Sequence, residues 1–505
     1  MTVGEVLQDV RIVRARGAMD REVGGLAYDS RRVRPGDVFF GLSGLKQDGQ
    51  AYVRQALTAG AVAAVVERDI DLPEATLVQV DETRTALAQA SARFFEFPSR
   101  AMRVVGVTGT NGKTTTTFLL DSVFRAAGWT TGVIGTTGVR IRDEWRASAF
   151  TTPEAPELQG LLREMADRGV AAAAIEVSSH ALAQRRSYAL ECDVVVFTNL
   201  TQDHLDFHGT MDAYRDAKEM LFDDRNGPTT KRPVAVINED DPAAPAFREA
   251  ARRGGMREML YSADPGAGMA SHVHFEGVTA VARGLEIQVF VDPDPRRRFK
   301  TIESESHFTL LLLGRHNASN AAAVFAAALA LGIDRRTIER GLESAPPVPG
   351  RLERVDAGQP FEVIVDYAHT PDALVHALGA VREHVAGRIL TVFGCGGDRD
   401  RGKRPLMGRA AAEGSDLAWV TSDNPRSEDP AEIAAEVAAG APVGALRVEL
   451  DRRAAIAAAL AEARPGDAVL IAGKGHETTQ TFADRTVPFD DREVARGLLA
   501  EGATG

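Results

Sequence analysis

Cysteine is close to absent: Cys192 and Cys395 are the only two among 505 residues. So few, so far apart, exclude a disulfide framework, argue against a thiolate metal site and point to a reducing compartment. Long apolar runs are missing as well. Residues 1–16 are interrupted by Glu5, Asp9, Arg11 and Arg14, which leaves no signal-peptide core. The longest apolar stretch, 321–331, is alanine-rich and too short to cross a bilayer. Excess positive charge is absent too, since the formal net charge is -12. That balance argues against nucleic acid as a partner and leaves any anionic ligand to local basic clusters. Internal repeats are lacking. These absences read as a cytoplasmic enzyme that does not insert stably into a membrane; a monomer is expected, although no feature of the sequence reports the oligomeric state.

A chain of 505 residues, 44% hydrophobic and 26% charged, is long enough for about three domains, each with its own core. Strand-like runs at 38–40, 61–66 and 76–80 and a helical run at 81–95 precede the break Phe97-Pro98-Ser99-Arg100. Strands at 104–107, 171–177, 194–197 and 234–237 then alternate with helices, as in a doubly wound, mostly parallel sheet. Residues 264–298 read as short antiparallel strands, and Gly314-Arg315-His316-Asn317 opens an alanine-rich helix. Pro346, Pro347 and Pro349 mark a linker, after which strands at 362–366, 388–393, 417–421 and 468–472 again alternate with helices. The expected architecture is α/β in three domains: a smaller N-terminal one (1–103), a central P-loop-type sheet (104–347) and a C-terminal Rossmann-like one (348–505).

The densest chemical signal is Gly109-Thr110-Asn111-Gly112-Lys113-Thr114-Thr115, directly after the apolar run Val104, Val105, Val107. A strand entering a glycine-rich turn that opens a helix aims backbone N–H groups and a helix dipole at one spot, which suits phosphate. Lys113 is then expected over the outer phosphates of ATP and Thr114 on their Mg2+. The spacing departs from the general P-loop, because Val107 stands where the first glycine belongs. Two further strands end in polar clusters, Glu176-Val177-Ser178-Ser179-His180 and the segment from Thr198 to Gly209. Glu176 is placed to be a Mg2+ carboxylate. His204 and His208, four apart, raise zinc, but no cysteine accompanies them and nearby phosphate favours an oxygen-ligated Mg2+.

With Asp366-Tyr367-Ala368-His369-Thr370-Pro371 added, these motifs resemble the Mur ligases of peptidoglycan synthesis, to which folylpolyglutamate synthetases are related. Folate-type relatives usually carry Gly-Ser after the P-loop lysine, where this chain has Thr114-Thr115. The resemblance implies that Lys218 carries a CO2-derived carbamate (N6-carboxylysine) and helps His204 hold a second Mg2+. It makes Asn317, Arg351 and Asp366 ATP contacts, the last two reaching over from the third domain on closure. It places a UDP-linked substrate on Tyr28, Ser30, Leu45, Lys46 and Gln47, with Thr151, Thr152, Ser178, Gln184 and Arg186 on its muramoyl dipeptide. It places the incoming amino acid on Arg399, Asp423, Asn424, Pro425, Arg426, Gly473 and Glu477. Arg426 discriminates, since a guanidinium grips the second carboxylate of meso-diaminopimelate and gains nothing from L-lysine. The implied reaction is ATP-dependent amide formation at the D-glutamate γ-carboxylate of UDP-N-acetylmuramoyl-L-alanyl-D-glutamate, through an acyl phosphate. Lys113, Lys218 and His204 serve it, with no covalent nucleophile. Three alternatives stay open: a lysine-adding ligase, a folylpolyglutamate synthetase, and a regulatory module that binds ATP without making amide.

Overall fold

Short runs of β-branched and aromatic residues form the buried strands, as their composition requires. The computed structural model describes residues 1–44, 48–264, 271–281, 284–292 and 305–502. By packing, Met1–His274 and Ser319–Gly341 belong to one compact unit, and Phe275–Phe290, Glu305–Ala318 and the chain from Leu342 onward to another.

The first unit holds two sheets. The smaller runs in the order Ile12–Arg16, Leu77–Val80, Ala63–Val66, Asp37–Phe40, Gly25–Ala27, parallel except for its first strand. Its core includes Val38, Phe40, Val65, Val78 and Leu87. In the larger sheet, strand Arg103–Thr108 lies between Val194–Phe197 and Ala172–Glu176, all three parallel. This order matters most for chemistry, because the carboxyl ends of neighbouring parallel strands open into one crevice. Val234–Asn238 and Arg257–Ser262 extend the sheet on one side and Thr131–Gly135 on the other, still in parallel. Helix Lys113–Ala126 packs over strands Ala172–Glu176 and Thr131–Gly135, where the alanines at 172–174 let it approach closely.

Strand Thr131–Gly135 and the antiparallel strands Gly138–Ile141 and Glu144–Arg146 beyond it lie outside the sequence expectation. Two glycines dilute the β signal of the first, and the last is exposed along its length.

In the second unit, the sheet order is Glu353–Arg354, Glu362–Asp366, Ala468–Ala472, Ile389–Phe393, Leu417–Val420, Arg447–Val448, parallel apart from the first pair. The four central strands are buried between apolar layers on both faces. Strands Val273–Val281 and Gly284–Val291 fall in the stretch 264–298 read as antiparallel strands, Glu305–Leu310 lies beyond it and pairs antiparallel with Gly284–Val291, and residues 275–290 and 305–318 group with this unit. The proline segment is not a free tether: Val348 is buried, and a Cβ at Gly350 (φ +65°) would lie 2.1 Å from the backbone N of His476.

Candidate active site

The P-loop follows strand Arg103–Thr108. Gly112 caps helix Lys113–Ala126 in a left-handed conformation (φ 86°), and a Cβ there would stand 2.3 Å from Asn320 Oδ1. A Cβ at Gly109 would lie 1.9 Å from Thr198 Oγ1, so glycine is required at both places. The neighbouring strand's end holds the loop in shape: Asn111 N donates to Asn199 Oδ1 (2.9 Å), Thr198 Oγ1 to Asn111 O (2.7 Å) and Thr110 N to Asn199 O (2.8 Å). Lys113 Nζ donates to the carbonyls of Gly109 (2.9 Å) and Thr110 (2.8 Å).

A second amine reaches the same carbonyl. Lys218, on helix Met211–Glu219, is buried and donates to Gly109 O at 2.7 Å, its Nζ 4.4 Å from the centre of the Tyr214 ring. Burial, and then the charge of Lys113, hold its pKa well below the ordinary lysine value. Two ammonium groups on one carbonyl oxygen repel, which adds to the cost of burying the Lys218 charge.

Glu176 ends strand Ala172–Glu176 and is 1% exposed. Its oxygens accept from Thr136 N (2.9 Å) and Thr136 Oγ1 (3.1 Å), and among the described residues it makes no ion pair. A buried carboxylate with only neutral partners, next to a phosphate loop, has the hard oxygen donors that suit Mg2+. His180, His204 and His208 gather beside it, with the His180 and His204 rings 4.7 Å apart and His208 Nε2 3.0 Å from Ser179 Oγ. Burial lowers the pKa of all three, that of His180 to about 4. No three His, Cys, Asp or Glu side chains among the described residues are grouped as a metal cage.

In the second unit, loops from four adjacent strands meet at the carboxyl edge. Arg426, in a left-handed conformation (φ 51°), donates from Nη1 to Gly397 O at 2.7 Å, and its backbone N donates to Thr481 O at 3.0 Å. Asn424 Nδ2 donates to Glu477 Oε2 at 2.8 Å, and a Cβ at Gly473 would lie 2.7 Å from Asp423 Oδ2. The Asn424 carbonyl joins the loops as well, accepting from Gly397 N at 2.9 Å. Pro425 is buried behind Arg426, while Arg399 is exposed. Beneath them the buried Arg404 donates to both oxygens of Glu428, which also accepts from Asp398 N (2.6 Å).

Comparison with known proteins accounts for this combination. Residues 22–103 match the Mur ligase family catalytic domain, 107–328 the Mur ligase middle domain and 350–475 the Mur ligase glutamate ligase domain. The chain is 44% identical over 509 residues to a UDP-N-acetylmuramoyl-L-alanyl-D-glutamate–2,6-diaminopimelate ligase of Solibacter usitatus, covering 99% of this chain and 98% of that protein. It is 43% identical over 507 residues to the protein of the same description from Syntrophomonas wolfei, with 99% of each covered. A solved structure of a ligase of that description superposes with a TM-score of 0.70 at 31% identity, covering 100% of this chain and 99% of the other. The chain belongs to the Mur ligase family.

The Mur ligase residues expected at the muramoyl dipeptide converge in the first unit. Thr152 Oγ1 donates to Glu176 O (2.7 Å) and accepts from Ser178 N (3.1 Å), and Thr151 Oγ1 lies 3.0 Å from Thr136 Oγ1. Arg186 Nη2 donates to Gln184 Oε1 (2.5 Å) and its Nε lies 3.0 Å from Glu154 Oε1. Tyr28 O–H donates to Glu157 (2.8 Å), which ties the N-terminal domain to helix Ala155–Asp167, and Ser30 Oγ donates to Gln55 (3.2 Å). Leu45, Lys46 and Gln47 lie outside the described residues.

The ATP contacts expected of the second unit have local roles there. Asn317 Nδ2 donates to Leu313 O (2.7 Å). Asp366 accepts from Leu352 N (2.7 Å) and Ala368 N (2.8 Å), burial raising its pKa, and the Arg351 guanidinium lies 4.9 Å from the Tyr367 ring centre. The sequence reading passed over Asn320, Tyr214, Arg84 and Glu154. Arg84 Nη1 lies 3.4 Å from Glu154 Oε2 and donates to Gln184 O at 3.3 Å. None of these lies in a glycine-rich or strand-end motif, so local pattern carries no signal for them.

Proposed function

We propose that this ligase joins meso-2,6-diaminopimelate to the D-glutamate γ-carboxylate of UDP-N-acetylmuramoyl-L-alanyl-D-glutamate, at the expense of ATP. The observation that carries the reading is Arg426, held by the Gly397 carbonyl, together with Glu477, which is bound by Asn424 two residues before Arg426. That pair offers a cation and an anion to an amino acid whose far end bears both a carboxylate and an ammonium.

A D-glutamate γ-carboxylate oxygen attacks the γ-phosphorus of ATP and ADP leaves, giving an acyl phosphate. The diaminopimelate amine then attacks the acyl carbon, phosphate departs, and the nitrogen loses its proton as the amide forms. Lys113 leaves the Gly109 and Thr110 carbonyls for the phosphate oxygens, and the loop N–H groups and the helix N-terminus stabilise the charge that spreads over them. Mg2+, when bound, neutralises phosphate charge; Thr114 and Glu176 would hold one ion, with His204 and a carbamylated Lys218 serving a second. The neutral amine, which burial favours at Lys218, is the form that adds to CO2: the nitrogen bonds the carbon and sheds a proton, and the carbamate formed is an anionic oxygen donor. The Arg186, Gln184 and Thr152 cluster orients the dipeptide.

Phosphate release, with product confirmed by mass, tests the reading in parallel reactions with meso-diaminopimelate and L-lysine. Turnover with diaminopimelate alone is expected. Turnover with lysine would keep a Mur ligase but overturn the Arg426 argument.

A further inference from the structure

Lys474 has no part in the chemistry above, yet its side chain is fully buried at the end of strand Ala468–Ala472. Its Nζ donates to Asn424 Oδ1 at 3.2 Å and to Glu477 Oε2 at 3.1 Å. The backbone N–H of Thr481 donates to the same Asn424 Oδ1 at 3.0 Å, while Asn424 Nδ2 donates to Glu477 Oε2 at 2.8 Å. This fixes the amide in one orientation, because a flip would turn its NH2 toward two donors and its oxygen toward a carboxylate. Glu477 Oε2 receives two donors, whereas Oε1 has no hydrogen-bond partner among the described residues and the side chain stays 33% exposed. A buried ammonium is costly to desolvate, and an apolar side chain of the same length would fill the space without that cost. The charge therefore needs a reason beyond packing.

We infer that Lys474 is a positioning residue for the amino-acid substrate: its ammonium locks the Asn424 amide and leaves one oxygen of Glu477 directed at the substrate's ammonium group. The inference rests on the diaminopimelate reading and adds to it a residue that touches no substrate. Removing the ammonium frees the Asn424 amide to rotate and lets Glu477 turn toward solvent, so the defect falls on amino-acid binding alone.

The test is steady-state kinetics of the full-length enzyme carrying Lys474→Met, Lys474→Gln, Glu477→Gln and the Lys474→Met/Glu477→Gln pair. Lys474→Met is expected to raise KM for diaminopimelate roughly tenfold or more, the loss of a hydrogen-bonded charge, with KM for ATP and for the UDP-linked substrate unmoved. Lys474→Gln, which keeps a donor for Asn424 but no charge for Glu477, should fall between, and it carries the same readout if the methionine variant does not fold. Because Lys474 acts through Glu477, the double variant should be no worse than the worse single one. Unchanged KM for diaminopimelate, equal rises for all three substrates, or fully additive effects would each overturn the inference. Wild-type enzyme silent with diaminopimelate would fail the substrate reading and the inference together. An active wild type with unmoved variants would fail the inference alone.

Discussion

Replacing Arg426 by methionine separates what this residue does for substrate choice from what it does for the fold. Of the five N–H donors of a guanidinium, the structure shows Nη1 donating to Gly397 O at 2.7 Å. Gly396 makes room beside it, since a Cβ there would lie 2.9 Å from Nη1. Methionine keeps the unbranched stem without the guanidinium and carries the same left-handed backbone cost, so the stability change is chiefly one hydrogen bond, about 1 kcal/mol. That amounts to a fall of roughly 2–4 °C in melting temperature for a domain of this size. The functional loss is larger. A bidentate, charge-assisted contact to the distal carboxylate contributes about 2 to 4 kcal/mol, so kcat/KM for diaminopimelate should fall roughly 30- to 1000-fold. L-Lysine has no distal carboxylate, so its kcat/KM should hardly change and the preference between the two should collapse. Phosphate release measured with each amino acid over a range of concentrations gives both ratios. An equal loss for both, or none for diaminopimelate, would refute the assignment of Arg426 as the selector.

Three other perturbations follow from buried charge. Burial holds Lys218 below its ordinary pKa, so between the folded and unfolded values the unfolded chain binds more protons than the folded one, and stability rises with pH toward the unfolded value. Lys218→Met should abolish ligation in bicarbonate-containing buffer, and in CO2-depleted buffer it should melt higher than wild type at pH 7, with the difference closing near pH 10. A gap that ignores pH would count against the buried neutral amine. His180, lowered to about 4 by burial and then by His204 and His208, is neutral when folded but protonates near its ordinary value of about 6.5 when unfolded. Stability should drop as pH falls from about 6.5 toward 4, and urea titrations of His180→Gln should show a shallower drop. Arg452 and Asp491 form an ion pair with both side chains fully buried, and Arg452 Nη2 also donates to Ala472 O (2.9 Å). Arg452→Met strands the carboxylate and should cost about 3 to 5 kcal/mol in denaturant unfolding, whereas an unchanged midpoint would mean that Asp491 finds another partner.

The phosphate loop was legible from residues 109–115 alone, because strand, turn and helix are contiguous and the two glycines sit where the backbone needs them. The buried strands were legible for a similar reason, being unbroken apolar runs. Tertiary structure decided which strand ends meet. Glu176 ends the strand next to the one that leads into the phosphate loop, and Asn199 holds that loop, only because strands 172–176 and 194–197 flank strand 103–108, an order that no local periodicity encodes. It also decided the state of two lysines. Lys218 on its polar helix and Lys474 in its glycine-rich loop read locally as solvent-facing cations, yet both are buried against partners far along the chain, Gly109 for one and Asn424 for the other. A side chain's type is written in the sequence, but the water it loses and the partner it gains are set by segments that fold against it from a distance, and those two terms fix its charge.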